Sequence, residues 1–280
     1  MHTPIETVNK LSAAIAAMLN DTGFAPYHGA VKVGVDLGTA DIQTLVLDRH
    51  NRPLACYLRW AEVVRDGIVV DYQGAREIVS EQLQCAAQRL DVNIERVATA
   101  FPPGTDPRIS VNVVEAAGVE VSTVIDEPSS VAQLLSLQHA AVVDIGGGTT
   151  GTAIVEQGRV VASADDPTGG HHITLALAGH YGLPYDKAEW LKRMDDSGDV
   201  LAVVRPVIAK MADLVRRHIA AHAPPVIYLT GGCCALHGFA EVFAAELADT
   251  EVVVPERPLH LTPLAIAACA DAPDVRLQAV

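Results

Sequence analysis

The sequence predicts an α/β protein of two related lobes, each a mixed β-sheet flanked by helices, with a cleft between the lobes. Three observations predict it. The chain has 280 residues, near the upper limit for a single hydrophobic core. Strand-like runs alternate with helical ones, the pattern of mixed or parallel sheets. A unit of strand, aspartate, glycine-rich turn and strand occurs twice, about 108 residues apart, and such a duplication points to one copy per lobe.

The elements follow in order. Residues 3 to 19 read as an amphipathic helix with Thr3 as N-cap, Pro4 at the first helical position and Glu6 closing a capping box. Ile5, Val8, Leu11, Ile15 and Met18 fall on one face. That face either packs on the main body or serves a detachable docking helix. Asp21 to His28 reads as a linker. Strands are expected at Val31–Val35, Thr44–Leu47 and Leu54–Leu58, with a turn at Arg49-His-Asn-Arg-Pro53. A helix over residues 74 to 90, a strand at Arg96–Phe101 and a helix at Arg108–Ala117 follow, with Gly118 placed to close that helix.

Beyond it come a strand at Val121–Ile125, a helix after Pro128, and strands at Ala141–Asp144, Ala153–Glu156 and Arg159–Ala164. Residues 173 to 222 are mainly helical, followed by a strand at Val226–Thr230, a helix at Phe239–Ala248, a short strand at Val252–Val254 and a final helix at Pro263–Cys269. The expected division is 1–28 for the N-terminal helix and linker, 29–140 for the first lobe and 141–261 for the second. The C-terminal helix, 262–275, is expected to return to the first lobe.

Bulk properties narrow the function. Half the residues are apolar and the net charge is −14. Such a surface repels nucleic acid and anionic lipid, so neither nucleic acid nor membrane is an expected partner. The five cysteines include an adjacent pair and no C-x-x-C spacing, which argues against a disulfide framework or a structural zinc site. No apolar run reaches the about 20 residues that span a bilayer, and no signal peptide is visible. The expectation is a cytoplasmic protein.

The repeated units are Val33-Gly-Val-Asp-Leu-Gly-Thr39 and Val142-Val-Asp-Ile-Gly-Gly-Gly-Thr149. Each puts a carboxylate at a strand end and follows it with glycine, which lets backbone approach a ligand closely. Successive N–H groups of such a turn form an anion site. Two such turns can grip the phosphates of a nucleotide from both sides, with Asp36 and Asp144 facing a Mg²⁺ that keeps several waters. Three more blocks support this reading. Asp126-Glu-Pro-Ser-Ser130 puts an acid before a helix-starting proline. Thr168-Gly-Gly-His171 is a third small turn. Tyr228-Leu-Thr-Gly-Gly-Cys233 runs a strand into bare backbone where a flat adenosine could lie. His171 and His172, if on a strand, would face opposite ways, against a paired metal site. Cys233 and Cys234 are read as small residues beside close backbone.

In this order, and with Thr262-Pro-Leu-Ala-Ile266 as the last block, the motifs resemble the superfamily of actin, sugar kinases and seventy-kilodalton heat-shock ATPases. Val97-Ala-Thr-Ala-Phe-Pro-Pro to Asp126-Glu-Pro-Ser-Ser-Val131 is similar to the chaperone branch, and Arg65-Asp-Gly-Ile-Val-Val-Asp-Tyr72 to the bacterial rod-shape actin. The family resembled most is the ethanolamine utilization protein J (EutJ) family, chaperone-like proteins encoded with bacterial microcompartment genes. The similarity covers nearly everything after about residue 31.

The resemblance implies an actin-like ATPase fold, ATP or ADP with Mg²⁺ as cofactor, and weak ATPase activity. It implies that Asp36 and Asp144 orient the Mg²⁺ waters, and that Gly38, Thr39, Gly146, Gly147, Gly148 and Thr149 hold phosphate oxygens. Glu127 would place the attacking water, Gly169 and Gly170 in the third turn would also bind the nucleotide, and Gly231 and Gly232 would back the nucleoside. It further implies a nucleotide-driven chaperone or assembly factor, with an amine-degrading lyase or microcompartment components as protein clients. The chain departs from the chaperone pattern in having no lysine between Val33 and Asp186, and in carrying Ala40 where a second threonine is expected. Arg65 and Arg108 are the candidate substitutes, although arginine and lysine are not interchangeable in such roles. A small-molecule kinase and a filament-forming actin remain alternatives, because this fold does not by itself give function.

Overall fold

The computed structural model describes residues 4–65 and 68–271. The expected N-cap at Thr3 and the end of the expected helix, residues 272–275, lie outside the described residues.

Helix α1 (Pro4–Ala17) is followed by β1 (Val31–Leu37), β2 (Asp41–Asp48), β3 (Pro53–Trp60), β4 (Val64–Arg65), β5 (Ile68–Val69), α2 (Tyr72–Leu90), β6 (Arg96–Phe101), α3 (Arg108–Ala116), β7 (Glu120–Asp126) and α4 (Glu127–Leu134). Then come β8 (His139–Ile145), β9 (Thr150–Glu156), β10 (Arg159–Asp166), α5 (Gly170–Tyr181), α6 (Tyr185–Met194), α7 (Leu201–Ile219), β11 (Val226–Thr230), α8 (Phe239–Glu246), β12 (Glu251–Val253) and α9 (Leu261–Ala268). The β4–β5 hairpin is an element that periodicity alone does not reveal, since each of its strands is two residues long.

The two large sheets have the same wiring. One runs β3-β2-β1-β6-β7, the other β10-β9-β8-β11-β12. In each, three antiparallel strands are extended by two parallel ones. The duplicated motif thus marks a duplicated topology, with β1 and β8 as the central strands. Local chemistry sets the boundaries. Asp71 caps α2 by accepting from the Gly74 N–H at 2.9 Å, and Asp126 caps α4 through the Ser129 N–H at 3.0 Å. Gly118 takes a φ of +98° after α3, the left-handed geometry in which glycine ends helices.

Packing crosses between the sheets. Helix α4 leaves β7 of the first sheet and packs Val131, Ala132 and Leu135 with Val142 and Val155 of the second. Helix α9, which follows the second sheet's last strand, packs Leu264 and Ala267 with Leu45 and Leu47 of the first. Gly34 makes this approach possible, because a Cβ there would lie 2.5 Å from the Ala267 backbone nitrogen. The far face of the second sheet carries α5, α7 and α8, with Ile173, Ile208, Phe239 and Phe243 fully buried.

Helix α1 is part of this core. Val8 packs with Val131, Leu135 and Leu261, and Ile15 with Leu45, Leu264 and Ala267. Asn20 then pairs with the Leu58 backbone in both directions, at 2.9 and 3.1 Å, and the linker is pinned by Ala25 and Tyr27 N–H bonds to Arg89 and Leu90, each 2.8 Å. The docking alternative for α1 loses its basis, since the apolar face is already occupied. A chain starting at Gly29 is expected to lose the burial of Val8 and Ile15, together about 5 kcal/mol, and to melt at least ten degrees lower. Urea unfolding midpoints equal to those of the full chain would refute this.

Candidate functional site

Two turns define the site. Strand β1 ends at Asp36 and Leu37, and the turn Gly38-Thr39-Ala40 leads into β2. Strand β8 ends at Asp144 and Ile145, and Gly146 to Thr149 lead into β9, closed by the Gly146 N–H to Thr149 O bond at 3.1 Å. The turns meet tip to tip. A Cβ at Gly147 would stand 2.8 Å from the Ala40 Cβ and 3.0 Å from its nitrogen. The bareness of Gly147 therefore lets the two turns approach, and Ala40, where the sequence marks a lost hydroxyl, is the residue it meets.

Between the sheets lies a cavity of about 1090 Å³. Asp36, Gly38, Thr39 and Glu127 line it from the first half of the chain. Asp144, Gly146, Gly147, Gly148, Thr149, Gly170, Gly231 and Gly232 line it from the second. Gly169 does not. The third small turn is instead the start of α5, whose Gly170 and His171 N–H groups donate to Gly146 O (2.9 Å) and Gly147 O (2.8 Å). A Cβ at Gly169 would lie 2.7 Å from Gly146 O. Gly169 is thus bare to seat α5 on the turn. His171 and His172 lie in this helix and not on a strand: His171 Nδ1 is 3.0 Å from the Tyr185 hydroxyl, and His172 Nδ1 accepts from the Gly169 N–H at 3.4 Å.

Gly231 follows β11 with φ +91° and ψ 157°, a region essentially confined to glycine. Its bare Cα faces Ile145 O, at 2.4 Å from where a Cβ would sit. Gly232 opens onto the cavity, with only the Leu259 Cδ1 within reach of a Cβ, at 3.2 Å. Cys233 donates its thiol to Gly146 O at 3.1 Å, and burial pushes it up to about 11; Cys234 bonds Thr230 O at 3.1 Å. Both thiols are packing groups.

Four carboxylates line the cavity beside the turns, Asp36, Asp41, Glu127 and Asp144, and a fifth, Asp165, interacts with Asp144 from outside the lining. Burial drives Asp36 well up, helped by Asp41 and Asp144, and drives Glu127 up with help from Asp144, Asp36 and Asp165. Burial also pushes Asp144 to about 6 against the Thr262 hydrogen bond, Asp41 to about 6 against Gln43 and Arg193, and Asp165 to about 7 against Thr149. Asp41 and Asp165 were not expected. The signal available was an acid two residues past Thr39 and another just before the Thr168-Gly-Gly turn.

So much negative charge in one enclosed space fits a hard cation. Among the described residues no group of three or more metal-binding side chains stands close enough to hold an ion directly; an ion that keeps several of its waters, as Mg²⁺ does, would meet these carboxylates through them.

The rim of the cavity carries cations that the sequence reading missed. Lys192, in α6, donates to Glu189 (2.7 Å), Thr174 (2.9 Å) and Gly170 O (3.1 Å), and Thr174 also bonds Glu189. Burial would raise Glu189, but Lys192, Thr174 and Arg193 bring it below its ordinary value. Arg193 bonds Glu189 at 2.7 Å and lies 3.7 Å over the Trp60 ring of β3, bridging the mouth of the cleft. Of the two arginines considered for the missing lysine, Arg65 lines the cavity, whereas Arg108 points to solvent and pairs with Asp106 at 2.6 Å.

The chain is 50 % identical over 252 residues to the ethanolamine utilization protein EutJ of Escherichia coli K12, an alignment that covers 90 % of each chain. The chain belongs to the EutJ family. Its EutJ relative from Salmonella typhimurium is 49 % identical over the same share of both chains. The crystal structure of EutJ from Carboxydothermus hydrogenoformans has a TM-score of 0.88 at 42 % identity, covering 95 % of this chain and 99 % of that one. A family model described as type IV pilus assembly protein PilM also matches, over residues 107–265. Beyond EutJ, MreB5 of Spiroplasma citri bound to AMPPNP shares the fold, with a TM-score of 0.64 at 17 % identity over 85 % of this chain and 95 % of that one. The same MreB5 is also known bound to ADP. This chain has the actin-like ATPase fold. No helix among its described residues is long and apolar enough to cross a membrane.

Proposed function

We propose that this chain binds a Mg²⁺–nucleoside triphosphate, ATP, in the cleft and hydrolyses it slowly to ADP and phosphate. In this reading it acts as a nucleotide-driven chaperone or assembly factor for ethanolamine, or related amine, utilization. The observation that carries the proposal is the tip-to-tip meeting of the two glycine turns above paired carboxylates: a Cβ on Gly147 would come within 2.8 Å of Ala40. The turn N–H groups and Thr39 and Thr149 hydroxyls bind phosphate oxygens from opposite sides. Asp36 and Asp144 hold the hydrated cation through its waters, and Gly231 and Gly232 back the nucleoside. Mg²⁺ would supply the charge that neutralises both the phosphates and the carboxylates lining the cavity.

Glu127 orients the attacking water. Phosphoryl transfer depends mostly on positioning and electrostatics, so one such carboxylate supports slow turnover. Binding draws the lobes together and product release frees them, which changes affinity for a protein partner. The name of the relatives supports a place in ethanolamine utilization; the clients in this reading are an amine-degrading lyase or microcompartment components, in the cytoplasm at such a compartment.

Calorimetric titration of MgATP, followed by phosphate-release kinetics, tests this. Saturable binding that Asp144→Ala abolishes, with turnover well below 1 s⁻¹ (about two orders under typical kinases), is the expected result. Absence of binding at millimolar ATP would leave the cleft without a nucleotide role.

A further inference from the structure

We infer that Thr262 is a positioning residue for the cation site: its hydroxyl holds the Asp144 carboxylate in place across the lobe junction, from a segment that both lobes grip. The inference rests on the Mg²⁺–nucleotide reading above. Thr262 is the second residue of α9, a helix whose body packs on the first sheet. Its hydroxyl nevertheless donates to Asp144 Oδ2, at the tip of the second sheet, at 2.6 Å.

The proton direction follows from the partners. A threonine hydroxyl has one proton, and here the carboxylate takes it. Thr262 can then only accept from Thr230, whose hydroxyl is 3.0 Å away and whose single proton is shared between Thr262 and Pro258 O at 3.3 Å. Thr230 and Thr262 are 0 % and 4 % exposed, so water does not compete for these bonds. On its other side the carboxylate rests against Gly231, where a Cβ would be 2.5 Å from Oδ1. Asp144 is therefore held between a bare backbone and a single hydroxyl.

The segment that carries Thr262 is fixed from the first lobe as well. Gln43, on β2, donates to Leu259 O at 3.2 Å and accepts from His260 Nδ1 at 3.1 Å. The same Gln43 amide donates to Asp41 at 2.9 Å. Residues 258–262 are thus gripped on one side by a side chain that orients Asp41, and on the other by hydroxyls that orient Asp144. The relative placement of acids from the two sheets is set by this connector as well as by the strands that bear them.

The test measures ATP affinity with Mg²⁺ and with EDTA, in wild type, Thr262→Val and Thr262→Ser, with ligand-free melting temperatures alongside. Valine keeps the shape and removes the donor. The expected result is that Thr262→Val loses about tenfold of the Mg²⁺-dependent gain, the scale of one hydrogen bond to a charged group. Its affinity in EDTA should stay within about twofold of wild type, and Thr262→Ser should restore the gain. If Thr262→Val does not fold, Thr262→Ser against Thr262→Ala makes the same comparison. A Thr262→Val protein that keeps the full gain, or that loses affinity equally with and without metal, overturns the positioning role while leaving the nucleotide reading intact. A wild type with no Mg²⁺-dependent gain overturns the nucleotide reading and the Thr262 role together.

Discussion

Asp144→Asn is expected to stabilise the ligand-free protein above neutral pH while removing its Mg²⁺-dependent binding of nucleotide. Burial lifts Asp144 from an ordinary 3.8 to about 6. The folded state thus binds a proton more tightly than the unfolded chain, and stability falls as pH rises from about 4 through about 6, then levels off. A shift of roughly 2 units corresponds to about 3 kcal/mol, shared with the neighbouring acids because their titrations are linked. Asp165, lifted by burial to about 7, extends the decline to neutrality.

Asparagine keeps the shape and can still accept from Thr262, but it carries no charge. The variant should melt on the order of 5–10 °C above wild type at pH 8 and match it near pH 4.5. Comparing the two proteins isolates this group from acids outside the cleft such as Asp48, a buried side chain that Arg52 and two backbone N–H groups hold below the ordinary range despite its burial. Scanning calorimetry from pH 4.5 to 8 decides it. Equal melting temperatures at pH 8 would mean that the acids of the cleft are not crowded enough to cost the fold anything.

Gly231→Ala is expected to be the most damaging single substitution around the cleft. Its φ of +91° with ψ 157° lies where side chains are strained by about 1–3 kcal/mol. The added Cβ would also sit 2.4 Å from Ile145 O and 2.5 Å from Asp144 Oδ1. Neither atom can move freely: Ile145 belongs to β8 at the centre of its sheet, and Asp144 is bonded to Thr262. Strain and overpacking together come to about 4 kcal/mol or more.

Gly232→Ala is the informative contrast. Its new Cβ meets only the end of the Leu259 side chain, at 3.2 Å, so the ligand-free protein should keep its melting temperature within a few degrees. Its affinity for ATP should fall several-fold, because the nucleoside loses a bare surface. Thermal unfolding with and without MgATP separates the two effects. Indistinguishable melting temperatures for the two variants would show that the close approach at Gly231 is not a constraint.

Much of this molecule follows from sequence alone. Strand periodicity, capping residues such as Asp71 and Asp126, and the twice-repeated Asp-x-Gly turn are local signals. They suffice for the order of the elements, for the two equivalent sheets and for the part of the cavity lining that the turns supply, including Asp36, Glu127 and Asp144. Local signals also determined what would be misjudged. Thr168-Gly-Gly has the composition of a ligand turn, yet Gly169 is bare because α5 must seat on Gly146. Ala40 looks like a missing hydroxyl, and no local signal shows that it is also the residue that Gly147 meets.

Only the tertiary structure decided the rest, since it depends on contacts between residues remote in the chain. It placed α4 on the second sheet and α9 on the first, and occupied the apolar face of α1. It brought Asp41 into the cavity lining and Asp165 within electrostatic reach of Asp144, and set Arg193 against Trp60 across the cleft mouth. Periodicity tells which face of an element is apolar. It does not tell which other face will cover it, or which charges burial will force together.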